Sequence, residues 1–159
     1  MKKISVLFIC TGNICRSPTA EAVFRLLIKK DGLDECIEID SAGTGNWHIG
    51  HPPDIRTTNA AAARGYDLRS LRARQLLKED LQRFDYVIAM ANEHLEVINS
   101  YQSKARCHLL MEFAATSSFR EVPDPYYGDI NGFDHVLDLI EDGAAGLLAH
   151  LKRTHLTVC

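Results

Sequence analysis

The sequence has 159 residues, of which 46% are hydrophobic and 25% charged, and its formal net charge is −3. These values are typical of a soluble globular protein with a sizeable core, and we predict one domain over residues 1–159. The slight negative charge gives no indication of a nucleic-acid partner. No stretch reaches the ~18 apolar residues that a membrane-spanning helix needs, so we expect no membrane insertion.

Predicted strands and helices alternate along the chain. The strands are expected at Ile4–Ile9, Cys36–Ser41, Phe84–Met90 and about Arg106–Leu109, and the helices at about Pro18–Lys30, Asp54–Arg64, Glu93–Ser100 and Gly132–Leu151. The first and last helices carry apolar residues at i, i+3, i+4 and i+7, which predicts one core-facing side. Gly32 and Gly65 stand where helices are expected to end. The alternation predicts an α/β fold: a parallel four-stranded sheet with helices on both faces.

The most informative segment is the loop Cys10–Ser17, between the first strand and the first helix. A loop that opens a helix directs several backbone N–H groups into one concavity, where the helix dipole adds positive potential. Arg16 can place two parallel N–H donors on phosphate oxygens. These surroundings favour a Cys10 thiolate, which is a nucleophile. The loop therefore predicts a site for a phosphate monoester, with the thiolate aimed at phosphorus.

Three further loop residues have expected local roles. Gly12 permits a turn that a Cβ would hinder, and Asn13 tolerates a left-handed conformation. Ser17 has two plausible roles. It can cap the helix with Pro18 at the first helical position, or its hydroxyl can bond the Cys10 sulfur.

Asp124 lies between two prolines in a predicted rigid turn. A phosphate ester that is attacked by a thiolate needs an acid to protonate its leaving group, and Asp124 is the candidate. The alternative is an Asp that only forms an Asx-turn. Asp129 is the nearest rival as the acid, although a helix cap or a solvated charge is the simpler interpretation for it.

The cysteines are odd in number and include no C-x-x-C pair: Cys10, Cys15, Cys36, Cys107 and Cys159. This usage argues against a secreted disulfide framework and favours a cytoplasmic location. His48 and His51 are three residues apart, but no further ligands complete a metal set, so we expect surface-loop histidines and no metal.

The segment V-L-F-I-C-T-G-N-I-C-R-S-P-T-A-E-A-V-F resembles the low-molecular-weight protein tyrosine phosphatases, whose pattern is C-x-x-x-x-x-R-[ST] with a distant D-P-[YF]. Asp124-Pro125-Tyr126 supplies the second motif, over a hundred residues later. Further matches lie at Asp40–Thr44, Trp47, Ala73–Gln75 and Phe84-Asp85. The resemblance covers essentially the whole chain and implies a low-molecular-weight phosphatase, or flavodoxin-like, topology.

The resemblance implies hydrolysis of phosphate monoesters, preferentially protein phosphotyrosine or a small aryl phosphate, through a phosphocysteine on Cys10. Arg16 would clamp the phosphate, Asp124 would be the acid and base, and Ser41 would support the loop. No cofactor is implied, and a cognate tyrosine kinase is a conceivable partner. The remaining phosphate-binding positions would be Thr11, Gly12, Asn13, Ile14, Cys15 and Ser17.

The expected rim of the pocket carries aromatic residues, which suit a phenyl ring bearing the phosphate. They are Trp47, Tyr126 and Tyr127, although Trp47 also fits an ordinary surface position. The phosphoarginine-directed branch of the family carries Thr at the position of Ile14 and Phe after the D-P. Ile14 and the Tyr-Tyr pair therefore favour phosphotyrosine.

The resemblance also implies that an oxidised Cys10 forms a disulfide with Cys15; the alternative is a buried cysteine at the helix start. Two positions depart from the family pattern: Leu71, where many members have His, and Ala91, where many have Asp. Supporting roles at these two positions cannot be transferred.

Two other classes of protein with a similar fold are alternatives. A thioredoxin-coupled arsenate reductase needs a further cysteine pair, and Leu76–Asn92 contains no cysteine. A non-hydrolytic phosphoryl carrier has no use for an acid such as Asp124.

Overall fold

Four parallel strands form one sheet in the computed structural model, which describes residues 3–129 and 131–156. The strand order is β2-β1-β3-β4. The strands are β1 Ile4–Cys10, β2 Ile37–Gly43, β3 Tyr86–Ala89 and β4 Arg106–Leu109, and the helices are α1 Arg16–Lys30, α2 Ile55–Ala62, α3 Asp80–Arg83, α4 Asn92–Asn99 and α5 Asn131–His155. A short 3₁₀ helix, Leu110–Phe113, links β4 to the segment before α5. Cys159 lies outside the described residues.

The central strand β1 is buried on both faces, as its continuous apolar sequence requires. Val6 and Phe8 pack into a cluster with α1 and α5. Leu7 and Ile9 point to the opposite face and pack with Leu81 and Ile98 from α3 and α4, among others. The predicted parallel sheet with helices on both faces is therefore confirmed.

Helix α1 begins at Arg16 rather than at Pro18, so one prediction for Ser17 was wrong. Cys15 is the N-cap residue, and no side chain caps this end. Ser17 is the second residue of the helix and therefore lies inside its first turn. The predicted end is correct: Gly32 has φ +68°, and the N–H of Leu33 donates to the carbonyl of Ile28 at 2.8 Å.

Most other boundaries lie within a few residues of their predicted positions. Strand β3 begins at Tyr86 rather than at Phe84. The Asp85 carboxylate accepts hydrogen bonds from the backbone N–H and the hydroxyl of Ser5, and the Asp85 N–H donates to that hydroxyl. These side-chain bonds add to the backbone bonds that Asp85 makes with Ser5 and Arg106. The four-residue helix α3 and the 3₁₀ helix were not predicted, since segments this short carry no helical periodicity.

The parallel arrangement brings the carboxyl ends of β1, β2 and β3 to one edge of the sheet. Helix α1 begins at that same edge, directly after the Cys10–Ser17 loop. Across residues 3–129 and 131–156, no helix has both the length and the apolar character that crossing a bilayer requires.

Candidate active site

A cavity of about 390 Å³ opens at this edge of the sheet. Three segments line it: the loop after β1, the segment after β2, and the segment before α5. The lining residues are Cys10, Thr11, Gly12, Ile14, Cys15, Arg16, Trp47, His48, Asp124, Tyr126 and Tyr127. The fold therefore brings the candidate nucleophile, clamp, acid and aromatic rim to one place, from positions more than a hundred residues apart.

Asn13 holds the loop in shape from behind. It has the predicted positive φ, 57°, and only 2% of its surface is exposed. Its amide Nδ2 donates to the hydroxyls of Ser17 at 2.7 Å and Ser41 at 3.0 Å, and its Oδ1 accepts from the N–H of Arg74 at 2.9 Å. The Ser41 hydroxyl in turn donates to Glu21. Since these partners are all protein groups, the loop shape does not depend on a bound anion.

The carbonyl groups of the loop are taken up by neighbouring segments. Those of Cys10, Thr11 and Ile14 accept from the N–H groups of Thr44, Gly45 and Asp54 at 2.8–2.9 Å. The N–H groups of residues 12–15, in contrast, donate to no other residue that the structure describes. A loop with bonded carbonyls and available N–H groups at a helix start has the geometry that favours an anion.

The sulfur of Cys10 lies 3.0 Å from the hydroxyl oxygen of Ser17, so the second role predicted for Ser17 matches the geometry. The Ser17 oxygen already accepts from Asn13, so its hydroxyl hydrogen can be donated to the sulfur or to the more distant carbonyl of Ala42, at 3.5 Å. Cys10 is almost fully buried, at 2% exposure.

Arg16 extends from the first turn of α1 toward residues 122–127, the segment that carries Asp124 and is called the acid segment below, and is 3% exposed. Its Nη1 donates to the carbonyl of Val122 at 3.2 Å. Its Nη2 lies 3.4 Å from the hydroxyl of Thr11 and 3.6 Å from Oδ2 of Asp124. One guanidinium therefore links the nucleophile loop to the segment that carries the acid.

Asp124 forms the turn that its sequence predicts and also lies at the pocket. Its Oδ1 accepts from the N–H of Tyr126 at 3.0 Å, which is an Asx-turn, while Oδ2 faces Arg16. The two interpretations of Asp124 are thus compatible. Asp129 instead accepts from the N–H of Asn131 at the start of α5, and it does not line the cavity.

The three predicted rim aromatics all line the cavity mouth and are exposed. Tyr126 and Tyr127 contact each other edge-to-face, with ring centroids 4.9 Å apart. His48 lies in a loop, as predicted, but it also lines the cavity, which the sequence did not indicate. The His48 ring packs against Gly12, where a Cβ would lie 2.9 Å from Cδ2 of the ring. This close approach, rather than a positive φ, accounts for the glycine.

A second missed residue is His94 of α4, whose Nε2 lies 2.9 Å from the hydroxyl of Thr11. No motif marks it, because it is 83 residues away and reaches the loop only through the fold. Within the described ranges, no group of three or more His, Cys, Asp or Glu side chains could hold a metal ion.

Cys15 lies on the buried side of the loop, at 5% exposure. Burial raises the pKa of its thiol to about 12, so the thiol stays protonated at neutral pH. Cys10, Cys15 and Cys107 carry free thiols, whereas Cys36 is disulfide-bonded, which the odd cysteine count did not predict.

Comparison with known proteins agrees with this geometry. The sequence model of the family described as low molecular weight phosphotyrosine protein phosphatase matches residues 5–156. The low molecular weight protein-tyrosine-phosphatase YfkJ of Bacillus subtilis is 42% identical over 153 residues, which are 94% of this chain and 97% of the relative. The human low molecular weight phosphotyrosine protein phosphatase is 38% identical over 83% of this chain and 85% of its own length.

Solved structures give the same result. The crystal structure of YfkJ superposes with a TM-score of 0.91 and covers 98% of both chains. A protein tyrosine phosphatase from Entamoeba histolytica, solved with Hepes in its active site, has a TM-score of 0.90 at 38% identity and covers 95% of this chain and 98% of its own. This chain belongs to the low molecular weight phosphotyrosine protein phosphatase family.

Proposed function

We propose that this chain is a protein-tyrosine phosphatase that hydrolyses phosphate monoesters through a phosphocysteine on Cys10. The assignment rests on three groups that line one cavity: Cys10, Arg16 and Asp124. The Cys10 sulfur lies 3.0 Å from the Ser17 hydroxyl, Arg16 lines the same cavity, and the Asp124 carboxylate is 3.6 Å from Arg16.

In the first step, the N–H groups of the loop and the Arg16 guanidinium bind the phosphate dianion. The Cys10 thiolate attacks phosphorus, the bond to the ester oxygen breaks, and protonated Asp124 gives its proton to the leaving oxygen. In the second step, a water molecule attacks the phosphocysteine. The Asp124 carboxylate takes the proton of that water, and the Ser17 hydroxyl stabilises the departing thiolate. These steps need only protein groups and water, so we expect no cofactor.

The aromatic rim supports an aryl phosphate as the substrate. Trp47 and Tyr127 are 67% and 88% exposed at the cavity mouth, so their faces are available to a phenyl ring. Ile14 contributes an apolar side chain to the wall of the same cavity. The substrate would therefore be a protein phosphotyrosine or a small aryl phosphate, and a cognate tyrosine kinase would supply the protein substrate.

Cys15 would protect the nucleophile against oxidation. Peroxide converts the Cys10 thiolate to a sulfenic acid; the Cys15 thiol then displaces water from it, forming a disulfide. Peptide mapping after brief peroxide treatment should find Cys10 joined to Cys15, and a thiol reductant should restore activity. A nucleophile that depends on a reduced thiol also supports a cytoplasmic location. Pairing of Cys10 with any other cysteine would remove the protective role.

The assignment is tested by phosphate release from phosphotyrosine, phosphoserine and phosphoarginine compounds, without added metal. We expect phosphotyrosine to be the preferred substrate. Cys10→Ser should abolish turnover yet still bind phosphate, because the loop N–H groups and Arg16 remain. Wild-type-like turnover by Cys10→Ser would exclude a phosphocysteine, and a preference for phosphoarginine would overturn the substrate class.

A further inference from the structure

The imidazole of His94 is buried beside the phosphate loop, and both of its nitrogens are engaged. Nδ1 lies 3.1 Å from the backbone N–H of Ala91, and Nε2 lies 2.9 Å from the Thr11 hydroxyl oxygen. A backbone N–H can only donate, so Nδ1 must be the unprotonated nitrogen. The hydrogen of a neutral ring is then on Nε2, which donates to Thr11.

The charge state of His94 agrees with this tautomer. The residue is 1% exposed. Burial, with a smaller effect from the Arg16 charge, lowers the pKa of the imidazole to about 3. Two charged groups face the ring: the Arg16 guanidinium and the Glu93 carboxylate. Oε1 of Glu93 lies 3.5 Å from Nε2, and the Glu93 side chain is 66% exposed. His94 is therefore neutral at physiological pH.

The hydroxyl of Thr11 has a second donor. Nη2 of Arg16 lies 3.4 Å from the same oxygen. A hydroxyl oxygen has two lone pairs, and these two donors fill both. The hydroxyl hydrogen is then the remaining polar group of the side chain, and Thr11 lines the cavity together with Cys10 and Arg16.

We propose that His94 is a positioning residue: it fixes the Thr11 hydroxyl so that this hydroxyl donates a hydrogen bond to a phosphate oxygen. The proposal rests on the proposed function for the location of the phosphate. It adds one side-chain donor to the backbone N–H groups of the loop. A hydroxyl that accepts no hydrogen bonds rotates freely and would lose that freedom when phosphate binds. The Thr11 hydroxyl is already oriented by its two donors, so its bond to the phosphate costs less entropy.

The chain offers matched substitutions for a test. Thr11→Val keeps the shape and removes the hydroxyl, whereas Thr11→Ser keeps the hydroxyl. In His94→Gln, the amide nitrogen can occupy the place of Nε2 and still donate to Thr11. In His94→Asn, the shorter side chain can replace only Nδ1, which accepts from Ala91. If His94 had only a structural role, the Gln variant would not bind phosphate more tightly than the Asn variant.

The measurement is the dissociation constant of inorganic phosphate by calorimetry, together with kcat/KM for an aryl phosphate. Thr11→Val and His94→Asn should each weaken phosphate binding about tenfold, the effect of losing one hydrogen bond to a charged group. The double variant Thr11→Val/His94→Asn should be no weaker than Thr11→Val alone. His94→Gln and Thr11→Ser should remain within about threefold of the wild type.

Three results would overturn the proposal. Unchanged phosphate affinity in Thr11→Val would mean that the hydroxyl does not reach the phosphate. Multiplicative losses in the double variant would mean that His94 acts independently of Thr11. If nitrogen NMR of the wild type finds the imidazole hydrogen on Nδ1, then Nε2 of His94 cannot donate to Thr11. The NMR and the Thr11 comparison decide the case even if the His94 variants fail to fold. Phosphate binding without phosphotyrosine turnover would refute the proposed function and leave this inference testable.

Discussion

Arg16 contributes geometry as well as charge. Nη1 of its guanidinium donates to the carbonyl of Val122, while Nη2 faces Thr11 and Asp124, so one planar group links the loop and the acid segment. We predict that Arg16→Lys lowers kcat/KM for an aryl phosphate by more than about tenfold, because an ammonium group cannot make these planar, paired contacts. Steady-state kinetics of the two proteins measure this. A loss below about threefold would exclude the paired role.

His94 should make the stability of the protein depend on pH. The pKa of its imidazole falls from 6.5 to about 3 in the folded state, because burial disfavours the charged ring. The unfolded chain then binds a proton that the folded chain does not, so this stabilisation is present above pH ~6.5 and is lost as pH falls toward about 3.

The comparison for this prediction is His94→Gln, which does not titrate. Between pH 7 and pH 5, the free energy of unfolding of the wild type should fall by roughly 2 kcal/mol more than that of the variant. Urea unfolding at both pH values provides the measurement, and the other titrating groups serve as an internal control, since both proteins contain them. Equal pH dependence in the two proteins would show that His94 is not held neutral by the fold.

The residues of the candidate site were predictable to the extent that they belong to local motifs. Cys10 and Arg16 share one loop, and Asp124 is flanked by two prolines. His48 and His94 were missed because their proximity to the loop arises from tertiary packing, and a single histidine on a helix has no distinctive pattern.

At the scale of elements, the acid segment is tethered by Arg56 at the start of α2. Its guanidinium forms a pair with the Asp54 carboxylate, and Nη2 donates to the carbonyl of Tyr126 at 3.1 Å. The same group lies over the rings of Tyr126 and Phe133, at 5.3 and 4.8 Å from their centroids. Arg56 thus connects α2, the acid segment and α5.

We predict that Arg56→Met lowers kcat for phosphotyrosine about tenfold by loosening the segment that aims Asp124. Phosphate affinity should change little, since Arg56 does not contact the loop of residues 10–16. The matched control is Arg69→Met, because Arg69 makes the same local pair with Asp67 away from the cavity. Equal effects of the two substitutions on kcat would contradict the tethering role.

The acid itself is tested by Asp124→Asn, which keeps the size of the side chain and can retain the Asx-turn but cannot donate the proton. Phosphotyrosine, whose leaving group has a pKa of about 10, should suffer severely. An aryl phosphate with a much more acidic phenol should suffer less, because its phenolate departs unaided. The ratio of the two losses in phosphocysteine formation is the deciding measurement. If both substrates lose equally, Asp124 serves only as scaffolding.

At the scale of the whole molecule, α5 closes one face of the sheet by a very close approach. A Cβ at Gly146 would lie 1.7 Å from the carbonyl oxygen of Phe113, at the end of the 3₁₀ helix. We predict that Gly146→Ala destabilises the fold by about 1–3 kcal/mol, despite the better helix propensity of alanine, because backbone must move. Thermal unfolding should show a lowered Tm. Gly128→Ala, where the nearest such atom is 3.8 Å away, should not lower it.

The general architecture followed from alternating strands and helices, since neighbouring parallel strands are joined by long crossover connections, usually helices, that lie on the sheet faces. Alternation alone leaves several strand orders open, but the resemblance implied a flavodoxin-like topology, and the observed order β2-β1-β3-β4 confirms it. The contact between α5 and the 3₁₀ helix was not predictable, because Gly146 lies in an ordinary helical pattern and its packing partner is Phe113.

The bonds that Asn13 makes to Ser17, Ser41 and Arg74 also have a consequence for the time course of binding. Because these internal bonds already determine the shape of the loop, capture of an oxyanion requires no prior rearrangement of the backbone. Association should then be a single bimolecular event, with a rate proportional to ligand concentration and governed by diffusion and loss of water. Any slow phase in a reaction cycle would have to arise elsewhere, in the chemistry at phosphorus or in the movement of the acid segment.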